Sequence, residues 1–199
     1  MNEFYTKFFQ ALGSSILLFF MVSNAWSLSE ADQANLVEIK LLENLDDDRG
    51  FCIDIRGHQR RASTERGLQA HSCYSYQGRV AVDQGFDANR IKQNQLFLPH
   101  FDICVSTETP GNPLNLKLVN CDEYQEFIFD TDNTIRLKDR TNLCLTVADG
   151  PSRAGGGGSP VHLIRNLSVQ PCNEERSSYQ NWGLRRVVNG VMSLETRSK

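Results

Sequence analysis

The sequence predicts an all-β fold, and three observations support that prediction. Apolar and polar residues alternate with period two in several short runs, as they do in strands that bury one face. Six cysteines, an even number, lie between Cys52 and Cys172. A strand that ends at a cysteine and is followed by Gln-x-aromatic occurs three times, so a unit of about 40 to 50 residues repeats along the chain.

The first predicted strand covers Val37 to Leu41, where apolar residues alternate with charged ones. The acidic run 46–48 is predicted to form a solvated turn. Three adjacent carboxylates could also hold calcium, but no second cluster of ligands at a known spacing follows them. The next predicted strand covers Phe51 to Ile55 and again alternates.

Each repeat contains a strand around its first cysteine, a strand that ends at its second cysteine, and a closing glutamine with an aromatic residue. The first-cysteine strands are 51–55, 103–106 and 143–146, and the second-cysteine strands are 68–73, 116–121 and 167–172. The closing pairs are Gln84 with Phe86, Gln125 with Phe127, and Gln180 with Trp182. Gln77 is a rival to Gln84, which is preferred because an aromatic residue follows it two positions later.

Two further segments have distinct local chemistry. Residues 149–160 are rich in glycine and bounded by prolines, which predicts a mobile surface loop inserted in the third repeat. Residues 187–192 contain Asn189-Gly190 between apolar residues, which predicts a tight hairpin whose last strand completes the fold.

Taken together, residues 36–195 resemble the ricin B-type lectins, in which a cysteine-containing strand opens each repeat and Gln-x-Trp or Gln-x-Phe closes it. The resemblance implies a β-trefoil of three pseudo-symmetric four-strand repeats, at about 36–90, 91–134 and 135–195. It also implies pairing of cysteines within each repeat. The implied disulfides are Cys52–Cys73, Cys104–Cys121 and Cys144–Cys172.

A shared apolar core is expected, because one four-strand unit cannot cover its own apolar face. Phe86, Phe127 and Trp182 are predicted to converge there with Ile53, Val105 and Leu145. The closing glutamines are predicted to hydrogen-bond backbone groups within their own repeats.

The N-terminal segment predicts export. Residues 1–27 have a weakly basic start, an apolar run and small residues at the end, and are predicted to be a signal peptide cleaved after Ala25 or Ser27. An uncleaved anchor helix is the alternative, but the apolar run is shorter than the roughly 20 residues of a membrane span. Residues 28–35 are predicted to form a short flexible lead. The mature protein is therefore expected to be secreted, with disulfides and without a membrane span.

Composition and motifs argue against several functions. A net charge of −3 and a pI near 5.8 do not suggest nucleic-acid binding. The four histidines have no catalytic motif partner, so no enzymatic activity and no cofactor are predicted. No metal site is predicted either, because the cysteine spacing fits no zinc motif and the repeat assigns the cysteines to disulfides.

The resemblance also implies where a sugar would bind. In this family an aspartate two residues after the first cysteine accepts hydrogen bonds from sugar hydroxyls, and an aromatic residue on the next strand stacks on the ring. The first repeat offers a site of this type composed of Asp54, Gln69, His71, Asp83 and Gln84. The other repeats have Ser106 and Thr146 at the aspartate position and Val119 and Gln170 at the stacking position. At most one family-type site is therefore expected.

The leading hypothesis is a secreted carbohydrate-binding module whose partner is a glycan or glycoconjugate. The alternative is a scaffold whose sugar sites have decayed. Such a scaffold would bind a protein partner, as a subunit of an exported complex or toxin or as an inhibitor.

Overall fold

The structure of the protein is a computed structural model that describes residues 30–75 and 79–197. The predicted signal peptide, residues 1–27, and the rival glutamine Gln77 lie outside the described residues. Within the predicted lead, the helix Glu30–Asn35 (α1) continues directly into the first strand. The described residues form an all-β structure of antiparallel strands in two sheets, as the sequence predicts.

The strands fall into three successive groups. The first contains β1 (Leu36–Leu41), β2 (Phe51–Ile55), β3 (Leu68–Ser72) and β4 (Phe86–Asp87). The second contains β5 (Phe97–Leu98), β6 (Ile103–Thr107), β7 (Leu114–Val119) and β8 (Phe127–Phe129). The third contains β9 (Ile135–Leu137), β10 (Arg140–Val147), β11 (Arg153–Ala154), β12 (Leu163–Arg165), β13 (Leu167–Pro171) and β14 (Trp182–Val188), and β15 (Val191–Glu195) follows it.

Short helical segments connect some of these strands. Helix α2 (Ala88–Lys92) follows β4, and helix α3 (Ser177–Gln180) precedes β14. Single turns of 3-10 helix occur at Gln59–Arg61, Thr64–Arg66 and Glu174–Arg176. The Asp87 carboxylate caps α2 by accepting hydrogen bonds from the backbone N–H groups of Asn89 and Arg90.

A hairpin with the same pairing lies at the centre of each group. In the strand register, Cys52 lies opposite His71, Cys104 opposite Val119, and Cys144 opposite Gln170. A disulfide then joins the first strand of each hairpin to the cysteine just after the second strand. The disulfides are Cys52–Cys73, Cys104–Cys121 and Cys144–Cys172, so the predicted pairing is confirmed.

The outer strands connect the groups to one another. β1 pairs with β4 inside the first group, and β8 of the second group pairs with β9 of the third. β1 also pairs with β14, from Glu38 opposite Arg185 to Leu41 opposite Trp182. This last pairing joins the two ends of the described fold, so the first and third groups are direct neighbours.

The core lies where the three groups meet. The six predicted core residues all belong to one buried cluster: Ile53, Phe86, Val105, Phe127, Leu145 and Trp182. Trp182 is 0% exposed, and its indole N–H donates a 3.1 Å hydrogen bond to the backbone carbonyl of Leu145. The convergence of the aromatic residues that close the repeats is therefore confirmed.

Strand β1 is buried on both faces, although its alternating sequence predicts one solvated face. The reason is that β1 lies between β14, β2 and β4. Glu38 is fully buried and forms a 2.6 Å ion pair with Arg185. Lys40 donates hydrogen bonds to the Leu41 carbonyl at 3.1 Å and to the Asn44 side chain at 2.7 Å. Charged residues in this strand are thus satisfied internally rather than by water.

The glycine-rich insertion lies on the surface but is tied to the first group. Its strand β11 pairs with β12, and β12 pairs with β3, where Ile164 lies opposite His71. An insertion in the third repeat therefore extends the sheet of the first repeat. The sequence predicts only a free surface loop, since nothing in it indicates a partner strand more than eighty residues earlier.

The hairpin predicted at residues 187–192 is confirmed. β14 and β15 pair from Leu184 opposite Glu195 to Val188 opposite Val191. The two turn residues, Asn189 and Gly190, have φ angles of +50° and +78°. Positive φ at both central positions is the conformation that an Asn-Gly turn favours between twisted strands.

We expect the substitution Trp182→Ala to lower the free energy of unfolding by about 3 to 5 kcal/mol, because it leaves a large cavity at the meeting point of the three groups. Chemical denaturation with the disulfides intact measures this change. Val191→Ala is the matched control, since Val191 is 68% exposed and its truncation should change stability by less than about 0.5 kcal/mol. Equal losses in the two variants would contradict a shared core.

Candidate functional site in the first repeat

The central hairpin of the first repeat brings the predicted site residues of strands β2 and β3 together. Asp54 in β2 lies directly opposite Gln69 in β3, and His71 lies opposite Cys52. In an antiparallel pair, residues opposite each other project from the same face. The Cys52–Cys73 disulfide closes the end of the hairpin near His71.

The Asp54 carboxylate is held by two side-chain amides. Gln69 donates to one carboxylate oxygen at 2.9 Å, and Gln84 donates to the other at 3.2 Å. Asp54 is only 1% exposed, and both glutamines are buried. The two bonds offset part of the cost of burying a carboxylate, because each supplies a donor that water would otherwise provide.

Gln84 also holds the backbone of its own repeat, as predicted. Its amide donates to the carbonyl of Ser72 at 3.2 Å, and its side-chain oxygen accepts from the Tyr74 N–H at 3.3 Å. Gln180 holds the backbone of the third repeat in the same way. Its amide donates to the Pro171 carbonyl, and its side-chain oxygen accepts from the Asn173 N–H. Gln125 differs, since its side chain bonds to the side chains of Thr107 and Asp139.

Asp83 lies beside this cluster and is fully buried. One of its carboxylate oxygens, Oδ2, accepts hydrogen bonds from the Tyr74 hydroxyl and from the Gln59 backbone N–H. No donor among the described residues reaches the other oxygen, Oδ1. Buried carboxylate oxygens nearly always have a partner, so this oxygen is an exception.

His71 belongs to a cluster of rings rather than to an open surface. Tyr74 packs edge-on against His71 at 5.3 Å between ring centroids, and His162 packs edge-on against it at 5.0 Å. Tyr74 and His162 stack nearly parallel at 5.4 Å. His71 is 6% exposed, because these two rings cover it.

The insertion of the third repeat is fastened beside this cluster by charged residues. Arg165 forms a 2.8 Å ion pair with Asp46, and Arg49 donates to the carbonyls of Pro160 and Val161 at 3.0 and 2.8 Å. Two of the three carboxylates in the acidic run that precedes β2, Asp46 and Asp47, are therefore engaged in ion pairs. Asp47 in that run is buried and paired with Arg49, which corrects the prediction of a fully solvated turn.

Burial governs the ionisation of the cluster. It raises the pKa of Asp54 well above its usual range, and the nearby Asp83 carboxylate raises it further. Burial, followed by the charges of Asp54 and Asp83, raises the pKa of Tyr74, so its hydroxyl keeps the proton that it donates. Burial also lowers the pKa of His71 and of His162, which favours neutral imidazoles.

The equivalent position has no carboxylate in the other repeats, although the third repeat keeps the glutamine contact and the second keeps the strand register. Thr146 receives a 2.9 Å hydrogen bond from Gln180, just as Asp54 receives one from Gln84. Ser106 lies opposite Lys117, as Asp54 lies opposite Gln69. Neutral hydroxyls are weaker acceptors than a carboxylate, so these two positions lack the strongest group of the cluster.

A cavity of about 370 Å³ adjoins the cluster. Gln59 and Tyr74 line it, and both of them hydrogen-bond Asp83. Tyr74 therefore separates the cavity from the buried carboxylates. Sequence reasoning did not identify Tyr74, Gln59 or His162. Tyr74 could have been noticed as an aromatic residue next to Cys73, but His162 has no signal outside the tertiary structure.

The described residues contain no group of three or more His, Cys, Asp or Glu side chains arranged to hold a metal ion. Nor do they contain a helix long and apolar enough to cross a membrane.

Comparison with protein-family models and with curated proteins gives no match. Among solved structures, the chain is similar to the C-terminal domain of an earthworm lectin, a mutant in complex with 6'-sialyllactose. The sequence identity is 13%, the TM-score is 0.48, and the match covers 81% of this chain and 99% of the lectin domain.

We expect the stability difference between Asp54→Asn and the wild type to depend on pH. Below the ordinary carboxyl pKa of 3.8, Asp54 is protonated in both the folded and the unfolded state. As the pH rises above that value the unfolded state ionises first, so the wild type loses stability until the pH passes the raised pKa of the folded state. Asp54→Asn lacks this loss, so its stability relative to the wild type should increase as the pH rises. Denaturant unfolding between about pH 4 and pH 8 measures this difference.

Asp46→Asn is the control of opposite sign. Burial opposes ionisation of Asp46, but hydrogen bonds from Arg165 and Ser152 outweigh it and lower the pKa of Asp46 to about 2. Its stabilising contribution is present above pH 3.8 and is lost as the pH falls towards 2. Asp46→Asn should thus be less stable than the wild type at neutral pH, by a margin that shrinks in acid. The same trend in both variants would contradict the raised pKa of Asp54.

Proposed function

We propose that this chain is a secreted carbohydrate-binding protein with a β-trefoil fold of the ricin B type and without catalytic activity. Its ligand is a glycan or glycoconjugate, bound in the first repeat. Secretion is supported by the three disulfides, since such bonds persist in oxidising compartments.

The trefoil assignment is supported by the three central hairpins. They share one register relative to their first cysteines, and each is closed by its own disulfide. The outer strands pair between the second and third groups and between the first and third groups. Together these pairings correspond to three four-strand lobes around one apolar core.

The observation that carries the binding proposal is the convergence of Asp54, Gln69, His71, Asp83 and Gln84 into one cluster. These residues come from two strands and a separate loop. A carboxyl group with bound amides beside it is a suitable acceptor for a pair of sugar hydroxyls, and the ring of Tyr74, which lines the adjoining cavity, can cover the apolar face of a sugar. The unpartnered oxygen of Asp83 is a further acceptor that a ligand hydroxyl could satisfy.

We further propose that a ligand reaches the cluster by replacing the Tyr74 hydroxyl. That hydroxyl bonds to Asp83 at the boundary between the cavity and the cluster. A sugar hydroxyl has the same donor chemistry, so the exchange would keep Asp83 satisfied. The alternative, a scaffold for a protein partner, has no specific observation in its favour among the described residues.

The central test is the substitution Asp54→Asn, which keeps the size of the side chain and removes the carboxylate. We expect sugar binding to weaken roughly tenfold or more, because the asparagine amide has one acceptor oxygen where Asp54 offers two to sugar hydroxyls. Glycan-array screening followed by calorimetric titration measures the effect. Ser106→Ala, at the equivalent position of the second repeat, should leave the affinity unchanged. Binding that survives Asp54→Asn but not Ser106→Ala would show that the site lies in the second repeat and not in the first.

The Tyr74→Phe substitution tests the exchange of hydroxyls. It removes the internal donor to Asp83 and keeps the ring packing against His71 and His162. We expect the affinity for sugar to rise about fivefold, because the ligand no longer competes with a hydrogen bond worth about 1 kcal/mol. An unchanged or lower affinity, with an unchanged unfolding midpoint, would contradict the exchange.

A further inference from the structure

The cavity beside the first-repeat cluster has a distinctive lining. Its volume of about 370 Å³ lies in the range of small-molecule sites. Polar side chains dominate the wall, and two of them are arginines. The polar lining residues are Gln33, Gln59, Arg60, Tyr74, Ser75 and Arg79.

Three other cavities in the described part of the chain contain both signs of charge. In each of them a basic lining residue forms an ion pair with an acidic one: Arg136 with Asp132, Arg186 with Glu195, and Lys138 with Glu126. Among the described residues, the lining of the first-repeat cavity includes two guanidinium groups and no carboxylate. Its positive charge is therefore not balanced from within.

The two arginines are available to a ligand. Both side chains belong to exposed residues. Among the described residues, no carboxylate lies within ion-pair distance of Arg60 or Arg79. Each guanidinium carries five N–H donors in a planar arrangement that matches the oxygens of a carboxylate or sulfate.

The surrounding loop reinforces this charge. Residues 56–66 contain four arginines and one glutamate, whereas the whole chain has a net charge of −3. The positive potential is thus concentrated beside this cavity, in a protein that is acidic overall. A charged cleft of this kind attracts ligands of opposite sign.

The inner wall of the cavity cannot supply the same chemistry. The Tyr74 hydroxyl is bound to Asp83, and the Ser75 hydroxyl is bound to Glu38 and accepts a 2.9 Å hydrogen bond from the Ala81 N–H. Both residues are buried. The cavity therefore has a neutral inner wall that includes an aromatic ring, and an outer rim of two arginines that no described carboxylate pairs.

We propose that the first-repeat cavity binds an acidic saccharide. Its carboxylate or sulfate lies at the rim between Arg60 and Arg79, and its sugar ring lies against Tyr74. This inference rests on the proposed function and adds the substrate class. A neutral sugar would leave both guanidinium groups without a partner, so the acidic ligand is preferred.

The experiment compares matched sugars that differ only in the acidic group. Galacturonic acid is paired with galactose, and N-acetylglucosamine 6-sulfate with N-acetylglucosamine; inorganic sulfate is tested alone. Binding to the full-length mature protein is followed by calorimetry or by NMR titration at low and moderate salt. We expect the acidic member of at least one pair to bind roughly tenfold more tightly, with an advantage that shrinks as salt increases. The two pairs distinguish a carboxylate from a sulfate.

Arg60→Gln and Arg79→Gln should each abolish most of the advantage of the acidic sugar. Arg61→Gln is the matched control, since Arg61 is exposed in the same loop but does not line the cavity. An equal loss in Arg61→Gln would mean that diffuse loop charge, rather than the cavity, attracts the acid, and would overturn the proposal.

The remaining outcomes separate this inference from the proposed function. Equal binding of the neutral and acidic members overturns the inference and leaves the carbohydrate-binding function standing. Inorganic sulfate that binds as tightly as the sulfated sugar overturns the assignment to a saccharide. Failure to bind any glycan across an array overturns the proposed function, and the inference with it.

Discussion

The structure depends on a shared core that no single repeat can form alone. Each repeat contributes one aromatic side chain, from Phe86, Phe127 or Trp182, and all three are fully or almost fully buried. Removing a large aromatic side chain from water is worth about 2 to 3 kcal/mol, and that gain is available only when the other two repeats cover it. The pairing of β1 with β14 completes this enclosure. The hairpins outside the core can then vary without loss of the fold.

The first-repeat cluster illustrates that freedom. The three central hairpins have one register, but the position two residues after the first cysteine holds Asp54, Ser106 or Thr146. Gln84 and Gln180 contact that position in the same way and also hold their local backbone. The glutamine therefore belongs to the fold, whereas the carboxylate is a local addition. Burying a carboxylate beside a second one costs stability, and such costs are concentrated at functional sites.

The insertion of the third repeat and the segment 161–165 that follows it change the environment of this cluster. This segment adds β12 to the edge of β3 and brings His162 against Tyr74 and His71. Ion pairs and hydrogen bonds from Arg165 and Arg49 hold it there. One face of the first-repeat cluster thus consists of residues that are distant in sequence, while the described lining of the cavity on the Tyr74 side comes from residues 33–82.

The repeat, the strands of the three central hairpins and six members of the core follow from the chain alone. They rest on local period-two patterning or on recurrence at similar spacing. The disulfide pairs and the residues of the cluster follow from the resemblance of the repeats to those of ricin B-type lectins, and the β2–β3 register places Asp54 opposite Gln69 as that resemblance implies. The tertiary structure decided the burial of Asp54, the bond from Tyr74 to Asp83, and the contact of His162 with the first repeat. These depend on long-range packing. A hydrogen bond or ring contact between distant segments leaves no periodic signal in the sequence, so only the folded arrangement of the chain defines it.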